Sequence, residues 1–262
     1  MKLLHISDTH CRHKAYNKIV IPDDIDLIVH SGDATQSRGA KVNMEEMKQF
    51  VKWYSSFTDI PKVFVPGNHD TCLDPNKNSD YLSAMSLFEN TDIQLLMFDE
   101  SIEDNVHIVV TDKYLVRILP MQYTKAFYDW AFNKTDEELT ALYNTVSLSS
   151  VDIIVSHEPP LGFNDFVIID NNIGEDAPSG RVVRGFCNVG NTTLREIVDT
   201  STSLKAVLCG HIHNQRLDYN TVLANAVVTT YRNIQISNAA SLIDGSFNTG
   251  FYTLEYPNII TI

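Results

Sequence analysis

The sequence has no uninterrupted apolar run of the roughly 18 residues that a membrane-crossing helix requires. Its beginning, Met1-Lys2-Leu3-Leu4-His5-Ile6-Ser7-Asp8, turns polar too soon to supply the apolar region of a secretory signal. The expectation is a soluble, cytoplasmic protein without a membrane partner. Cysteine is equally sparse. Cys11, Cys72, Cys187 and Cys209 lie far apart and form no C-x-x-C pair, which argues against a disulfide framework and against a thiolate zinc site. Reduced, mostly buried thiols are expected instead. Basic residues are in short supply, with 20 Lys and Arg against 33 Asp and Glu and a net charge of −13. A duplex nucleic-acid partner needs a basic face to neutralise phosphates, so that class is disfavoured. An anionic substrate is still allowed, because bound cations would make one site locally positive whatever the rest of the surface carries.

What is present is enough apolar material for a core: 262 residues, 44% of them hydrophobic, fit one large α/β domain spanning 1–262. The stretch Val63-Phe64-Val65-Pro66-Gly67-Asn68-His69-Asp70 sets the pattern, because a run of β-formers stops at Pro-Gly and an amide, an imidazole and a carboxylate follow at once. The pattern recurs. Lys2 to Ile6 reads as a strand delivering Asp8-Thr9-His10, and Ile25 to His30 as a strand ending in Ser31-Gly32-Asp33. Val151 to Val155 ends in Ser156-His157-Glu158-Pro159-Pro160, and Lys205 to Cys209 ends in Gly210-His211-Ile212-His213.

Between these segments, residues 43–57 place Met44, Met47, Phe50, Val51 and Tyr54 three and four apart, which predicts an amphipathic helix capped by Asn43. Further helices are expected over Tyr81–Phe88, within 122–147, and at 192–198. Strands are expected at 93–98, 106–111 and 114–118, with antiparallel strands at 226–230, 233–237 and 251–255. The polar stretch 161–190 is long for a connection inside a compact domain and reads as an active-site loop or lid. The order strand, link, strand, helix, strand suggests parallel neighbours joined by right-handed crossovers.

Five strand ends thus offer Asp8 and His10, Asp33, Asn68 with His69 and Asp70, His157, and His211 with His213. Loops at the carboxyl ends of strands carry sites in open α/β sheets. A set of oxygen and imidazole donors without thiolate suits divalent Mn, Fe, Zn or Ni and does not choose among them.

In this order the motifs D-x-H, G-D, G-N-H-D, a histidine before a proline turn, and G-H-x-H resemble those of the calcineurin-like metallophosphoesterases, over roughly residues 3–240. Ile6-Ser7-Asp8-Thr9-His10, Phe127-Tyr128-Asp129-Trp130-Ala131-Phe132-Asn133 and Pro159-Pro160-Leu161-Gly162-Phe163-Asn164-Asp165 resemble the MPPED-type branch, whose members are phosphodiesterases of cyclic nucleotides. The resemblance implies a four-layer α/β/β/α sandwich of two mixed sheets, with a dinuclear metal site at the strand C-terminal edge. It implies that Asp8, His10 and His213 hold one ion, that Asn68, His157 and His211 hold the other, and that Asp33 bridges them. In such a site a metal-bridging hydroxide attacks the phosphorus. His69 would then stabilise the phosphoryl oxygens or protonate the leaving alkoxide, and Asp70 would accept from the other nitrogen of that imidazole. Gly32, Gly67 and Gly210 precede ligands, where the backbone would have to turn without a Cβ.

By position alone, Phe163 is a candidate to stack on a base and Arg181 and Arg184 to meet phosphate, while His13 and Arg12 lie just beyond the first motif. Protein phosphatases of the same superfamily carry G-D-x-x-D-R-G and G-N-H-E. Here Gly32-Asp33 runs into Ala34-Thr35-Gln36-Ser37-Arg38-Gly39 and the later motif ends in Asp70, so that branch fits poorly. A phosphodiesterase acting on small nucleotides is the favoured reading. A broad phosphomonoesterase has the same metal core, and a binding scaffold on this fold is the competing class.

Overall fold

Two mixed sheets organise the chain in the computed structural model, which describes residues 1–171, 183–213, 215–216, 222–223, 227–240 and 257–262. The first sheet is 5-stranded, in the order Asn258–Thr261, Lys2–Ile6, Leu27–His30, Lys62–Phe64, Ile93–Leu95. Its last four strands run parallel and the edge strand Asn258–Thr261 runs antiparallel to Lys2–Ile6. The second sheet is 6-stranded, in the order Val228–Tyr231, Ile234–Asn238, Ala206–Cys209, Ile153–Ser156, Leu115–Met121, His107–Val110. Here the parallel middle is flanked by antiparallel partners on both edges.

Alternation along each strand decides which layer a side chain enters. Leu3, Leu27, Val29, Val63 and Val65 of the first sheet pack with Ile118, Ile153, Val155, Ala206 and Leu208 of the second, forming the seam between the sheets. The opposite faces, Leu4, Ile6, Ile28 and Phe64 on one sheet, lie under Met47, Phe50, Val51 and Tyr54 of helix Ala40–Phe57. On the other sheet Leu119, Met121, Ile154, Val207 and Ile236 lie under helices Asp136–Asn144 and Thr192–Thr200. Helix, sheet, sheet, helix is the layering that the resemblance implied. Because both sheets bury both faces, their central strands read as continuous apolar runs rather than alternating ones.

The helix starts are local chemistry. Thr135 and Glu138 form a capping box at Asp136–Asn144, and Asn191 Oδ1 accepts from the Leu194 amide at 2.7 Å to start Thr192–Thr200. Helix Ala40–Phe57 begins instead at Gly39 without a side-chain cap, so the expected Asn43 cap is wrong: Asn43 sits one turn inside and is fully buried.

Two other expectations change. Within 122–147 the helix is confined to Asp136–Asn144. The preceding aromatic stretch is a loop framed by the short strands Thr124–Lys125 and Asn133–Lys134. The segment expected to be a polar loop carries a strand pair, Phe166–Asn171 with Val183–Asn188. The strand expected at 251–255 lies outside the described residues, while Asn258–Thr261 returns to the first sheet. No described helix is long and apolar enough to cross a membrane. All four cysteines are free, with Cys72 and Cys209 buried and Cys11 exposed.

Leu208 lies wholly within the inter-sheet seam. Replacing it with Ala removes about three methylene-equivalents and leaves a cavity between two rigid sheets, so Leu208→Ala should cost roughly 2–5 kcal/mol. A urea titration that locates the midpoint at an unchanged m-value measures the loss.

Candidate metal centre

Five parallel strands of the two inner layers are each followed by a turn that carries the polar groups. Asp8 and His10 follow Lys2–Ile6, Asp33 follows Leu27–His30, and Asn68 to Asp70 follow Lys62–Phe64. From the other sheet His157 follows Ile153–Ser156, and His211 and His213 follow Ala206–Cys209. Backbone bonds lace these turns together: the Asp8 amide donates to Gly32 O, the His10 amide to Asp33 O, and the Gly210 amide to His157 O. Ligand atoms of Asp8, His10 and His213 lie within 4.8 Å of one another, as do those of Asp33, His157 and His211, and those of His10, Asp33 and His69. Asp33 and His10 are shared between groups. Asn68 joins the second group through Oδ1, 3.0 Å from His157 Nε2.

The imidazoles are oriented by their far nitrogens. Nδ1 of His10 lies 3.1 Å from Thr35 O, Nδ1 of His69 lies 3.2 Å from Gln36 O, and Nδ1 of His157 lies 2.8 Å from Ser31 O. A carbonyl only accepts, so in each neutral ring Nδ1 holds the proton and Nε2 turns its lone pair inward. There it meets other acceptors: His157 Nε2 is 3.3 Å from Asp33 Oδ1, and His10 Nε2 is 3.8 Å from both Asp8 Oδ1 and Asp33 Oδ2. His213 Nε2 is 3.1 Å from Asp8 Oδ1 and 3.2 Å from His10 Nε2. Acceptors facing acceptors repel unless a proton or a cation lies between them. Ligand atoms about 2.0–2.2 Å from a divalent ion stand roughly 3–3.5 Å apart, so the donor set fits such ions.

The electrostatics agree with that fit. Burial pushes His10 and His211 down to about 4, which keeps them neutral and able to coordinate. Burial alone would oppose ionisation of Asp33, but His157 and His69 outweigh it and hold that carboxyl well below its ordinary range. Burial likewise acts against a charged His157, yet Asp33 and Asp8 overcome it and raise that imidazole to about 10. The two carboxylates thus favour the protonated form of His157, and a cation held there would compete with that proton.

The backbone is strained where the ligands are. Asp8, His10, Asp33 and His211 adopt φ of 53°, 41°, 56° and 68°, in the left-handed region that costs a side-chain-bearing residue roughly 1–2 kcal/mol. Of the three glycines, Gly32 matches its expected role, with φ of 110°. Gly67 and Gly210 are needed for space rather than for a turn. A Cβ at Gly67 would strike the Asp33 carboxylate and the His157 ring, and one at Gly210 would strike Ser7 and Asp8.

Several sequence-based assignments need correction. Asp70 does not contact the His69 imidazole, whose Nδ1 is taken by Gln36 O. Its carboxylate accepts from the amides of Gly67 at 2.8 Å, Asp33 at 2.9 Å and Thr35 at 3.0 Å, and from the Thr35 hydroxyl at 2.9 Å. Asp70 is a positioning residue that ties the second and third turns together. Burial, with the charge of Asp33, raises it to about 6. Phe163 is packed away from the centre, in the core of the second sheet beside Tyr231, with the Arg195 guanidinium 4.6 Å from its ring. Arg181 lies outside the described residues, as does the side chain of Arg184. His13 is buried against Trp53 and Phe50, so it serves the core rather than the site.

Three contributors escaped the sequence reading. Asn43 Nδ2 donates to His69 O at 2.8 Å, to Ser37 O and to the Thr35 hydroxyl, while its Oδ1 accepts from the Cys72 amide. One buried amide thus anchors the helix to both neighbouring turns. Trp130 stacks on His69 with ring centroids 3.8 Å apart, and the exposed Arg38 guanidinium lies 4.0 Å from the Trp130 ring. The aromatic tract was visible in the sequence, but nothing local indicated that its tryptophan would fold over a histidine 61 positions earlier.

A family model described as calcineurin-like phosphoesterase matches residues 1–215. Metallophosphoesterase domain-containing protein 1 of Homo sapiens is 27% identical over 252 residues, covering 91% of this chain and 69% of the relative. A 3′,5′-cyclic-nucleotide phosphodiesterase of Nostoc is 24% identical over 194 residues, covering 73% of this chain and 57% of the relative. One solved structure superposes with a TM-score of 0.57 at 12% identity, covering 90% of this chain and 89% of its own, which speaks to fold alone.

The contacts at Gly67 make a direct test. Gly67→Ala should displace Asp33 or His157 and lower the metal content of the purified protein, whereas Gly39→Ala, whose Cβ would meet nothing within 4 Å, should leave it unchanged. Elemental analysis of both folded variants, side by side with the parent, reads the difference.

Proposed function

Because the chain belongs to the calcineurin-like phosphoesterase family, we propose that it is a dinuclear metal-dependent phosphodiesterase of small nucleotides. The observation that carries this reading is the convergence of inward-facing imidazole nitrogens on two buried carboxylates, in overlapping ligand groups that share Asp33. Asp8, His10 and His213 would hold one divalent ion, Asn68, His157 and His211 the other, and Asp33 would face both. Bound there, two divalent ions supply charge neutralisation at the phosphoryl oxygens and acidification of an attacking water.

The chain's own residues do the rest. The carbonyls of Thr35 and Ser31 fix the His10 and His157 rings, so each ligand nitrogen is oriented before substrate arrives. His69 stands beside the centre, its Nε2 3.9 Å from Asp33 Oδ2 and its ring plane held by Trp130. From there it contacts the phosphoryl oxygens and, when protonated, donates to the leaving alkoxide. Asp70 and Asn43 keep the turns at their spacing. The name of the Nostoc relative supports a cyclic nucleotide as substrate, and the exposed aromatics Phe127 and Tyr128 beside Trp130 support an aromatic substituent.

Asp33→Asn should abolish turnover and lower metal content together. His69→Ala should slow hydrolysis about 10²–10⁴-fold while both ions stay bound, the range typical of a lost general acid. Chelator-treated protein should recover activity with Mn²⁺ or a similar ion. It should favour bis-p-nitrophenyl phosphate over p-nitrophenyl phosphate, then turn over members of a panel of 2′,3′- and 3′,5′-cyclic nucleotides. Equal metal loss in both variants would overturn the assigned roles, and no recovery with any divalent ion would overturn the enzyme.

A further inference from the structure

Residues 35–37 lie in neither a strand nor a helix, so no ladder fixes their peptide groups. Every backbone amide and carbonyl among them is nevertheless bonded to a side chain. The Thr35 amide donates to Asp70 and Ser37 O accepts from Asn43, which leaves the two peptide units between. In the first unit Thr35 O faces His10 Nδ1, and the Gln36 amide donates to Glu46 Oε2 at 3.0 Å. In the second Gln36 O faces His69 Nδ1, and the Ser37 amide donates to the same Oε2 at 2.9 Å. One carboxylate oxygen therefore stands behind both carbonyls.

A trans peptide is planar, with its N–H and C=O pointing in opposite directions. Fixing where the amide points thus fixes where the carbonyl points. Glu46 is itself held in place, because its Oε1 accepts from the Ser37 hydroxyl at 2.5 Å. It rides on helix Ala40–Phe57 three positions after Asn43, so the two side chains leave one helix face toward the same segment. Partial burial opposes ionisation of Glu46, but the bonds from Ser37 and Gln36 outweigh it and hold the carboxyl below its ordinary value. A charged acceptor makes these bonds stronger than a neutral one would.

We infer that Glu46 is the positioning residue for both His10 and His69, acting through the Thr35–Gln36 and Gln36–Ser37 peptides. It fills the part that the sequence assigned to Asp70, at one peptide's remove. Held this way, both rings keep the proton on Nδ1 and turn Nε2 toward the centre. What those rings then do rests on the phosphodiesterase reading above; how they are held does not.

Two substitutions separate reach from charge. Glu46→Asp keeps the charge and shortens the arm, whereas Glu46→Gln keeps an acceptor oxygen at full reach and loses the charge. In full-length protein before any metal is added, the imidazole N–H resonances of His10 and His69, assigned by their loss in His10→Ala and His69→Ala, should disappear from the proton NMR spectrum in Glu46→Asp and persist in Glu46→Gln. Mn²⁺ affinity, followed by titration in the same samples, should fall about tenfold in Glu46→Asp, the lower end of what losing an outer partner of a ligand costs, and recover in Glu46→Gln. Glu45→Ala, which removes the exposed carboxylate paired with Lys48 on the same helix, should change neither. Resonances and affinity unchanged in Glu46→Asp would overturn the positioning role, as would equal losses in the Asp and Gln variants. Unchanged resonances in protein that hydrolyses bis-p-nitrophenyl phosphate would overturn that role and leave the hydrolase standing. Resonances lost in Glu46→Asp alone, in protein that hydrolyses no phosphoester, would uphold the role and overturn the hydrolase.

Discussion

Asp8 and Asp33 are two carboxylates at 0% and 2% exposure in one cluster, and their ion-pair partners are the imidazoles of His10, His69, His157 and His213. Burying a charge without full compensation costs several kcal/mol. Imidazoles relieve that cost only when protonated, and burial holds His10 near 4. His157, near 10, can supply one positive charge against the two carboxylates. A divalent cation held between the carboxylates would neutralise the charge that these imidazoles leave uncompensated.

Keeping that arrangement in place explains much of the surrounding structure. Left-handed backbone at Asp8, His10, Asp33 and His211 would relax in a free loop. Here the Asp8 carboxylate accepts from the His211 amide at 3.0 Å, and Asp33 Oδ1 accepts from the His69 amide at 2.8 Å. The ligands thus brace one another's turns. Asp70 and Asn43 extend the same device, each spending its whole hydrogen-bonding capacity on backbone groups and hydroxyls of adjacent turns. Below them, the inter-sheet seam fixes how far apart the two sets of strand ends stand. That distance decides whether His157, from one sheet, can face Asn68 and Asp33 from the other.

The parts legible in the sequence were those whose cause is local. Apolar runs broken by Ser or Gly and a polar residue located the strand ends at Asp8, Asp33, Asn68, His157 and His211, because a buried parallel strand leaves that signature whatever surrounds it. The same reasoning misread Asn43 as a cap, since asparagine near a helix start usually is one; only tertiary packing turns its side chain inward to bond His69 O. Asp70 was misassigned for a related reason. Its neighbour in sequence is His69, but its neighbours in space are the amides of Gly67, Asp33 and Thr35. Phe163 was judged by its place in a polar segment, whereas its area is satisfied by Tyr231 and Arg195. The returning edge strand Asn258–Thr261 pairs with residues some 255 positions away, a register that no local pattern encodes.

The aromatic tract is built on a different principle from the turns that carry the candidate ligands. The metal-holding groups all leave strand ends, where geometry is set by the sheets. Trp130 and its neighbours sit instead on a connection between two short strands, joined to the centre at Asn68 O and Asp74 and through the stack on His69. Tyr128 and Phe127 are exposed, so changing either leaves the ligand turns untouched. Changing Trp130 is different, because its ring stacks on His69 and holds the plane of that imidazole. Trp130 is therefore the residue through which a change in this connection reaches the centre directly.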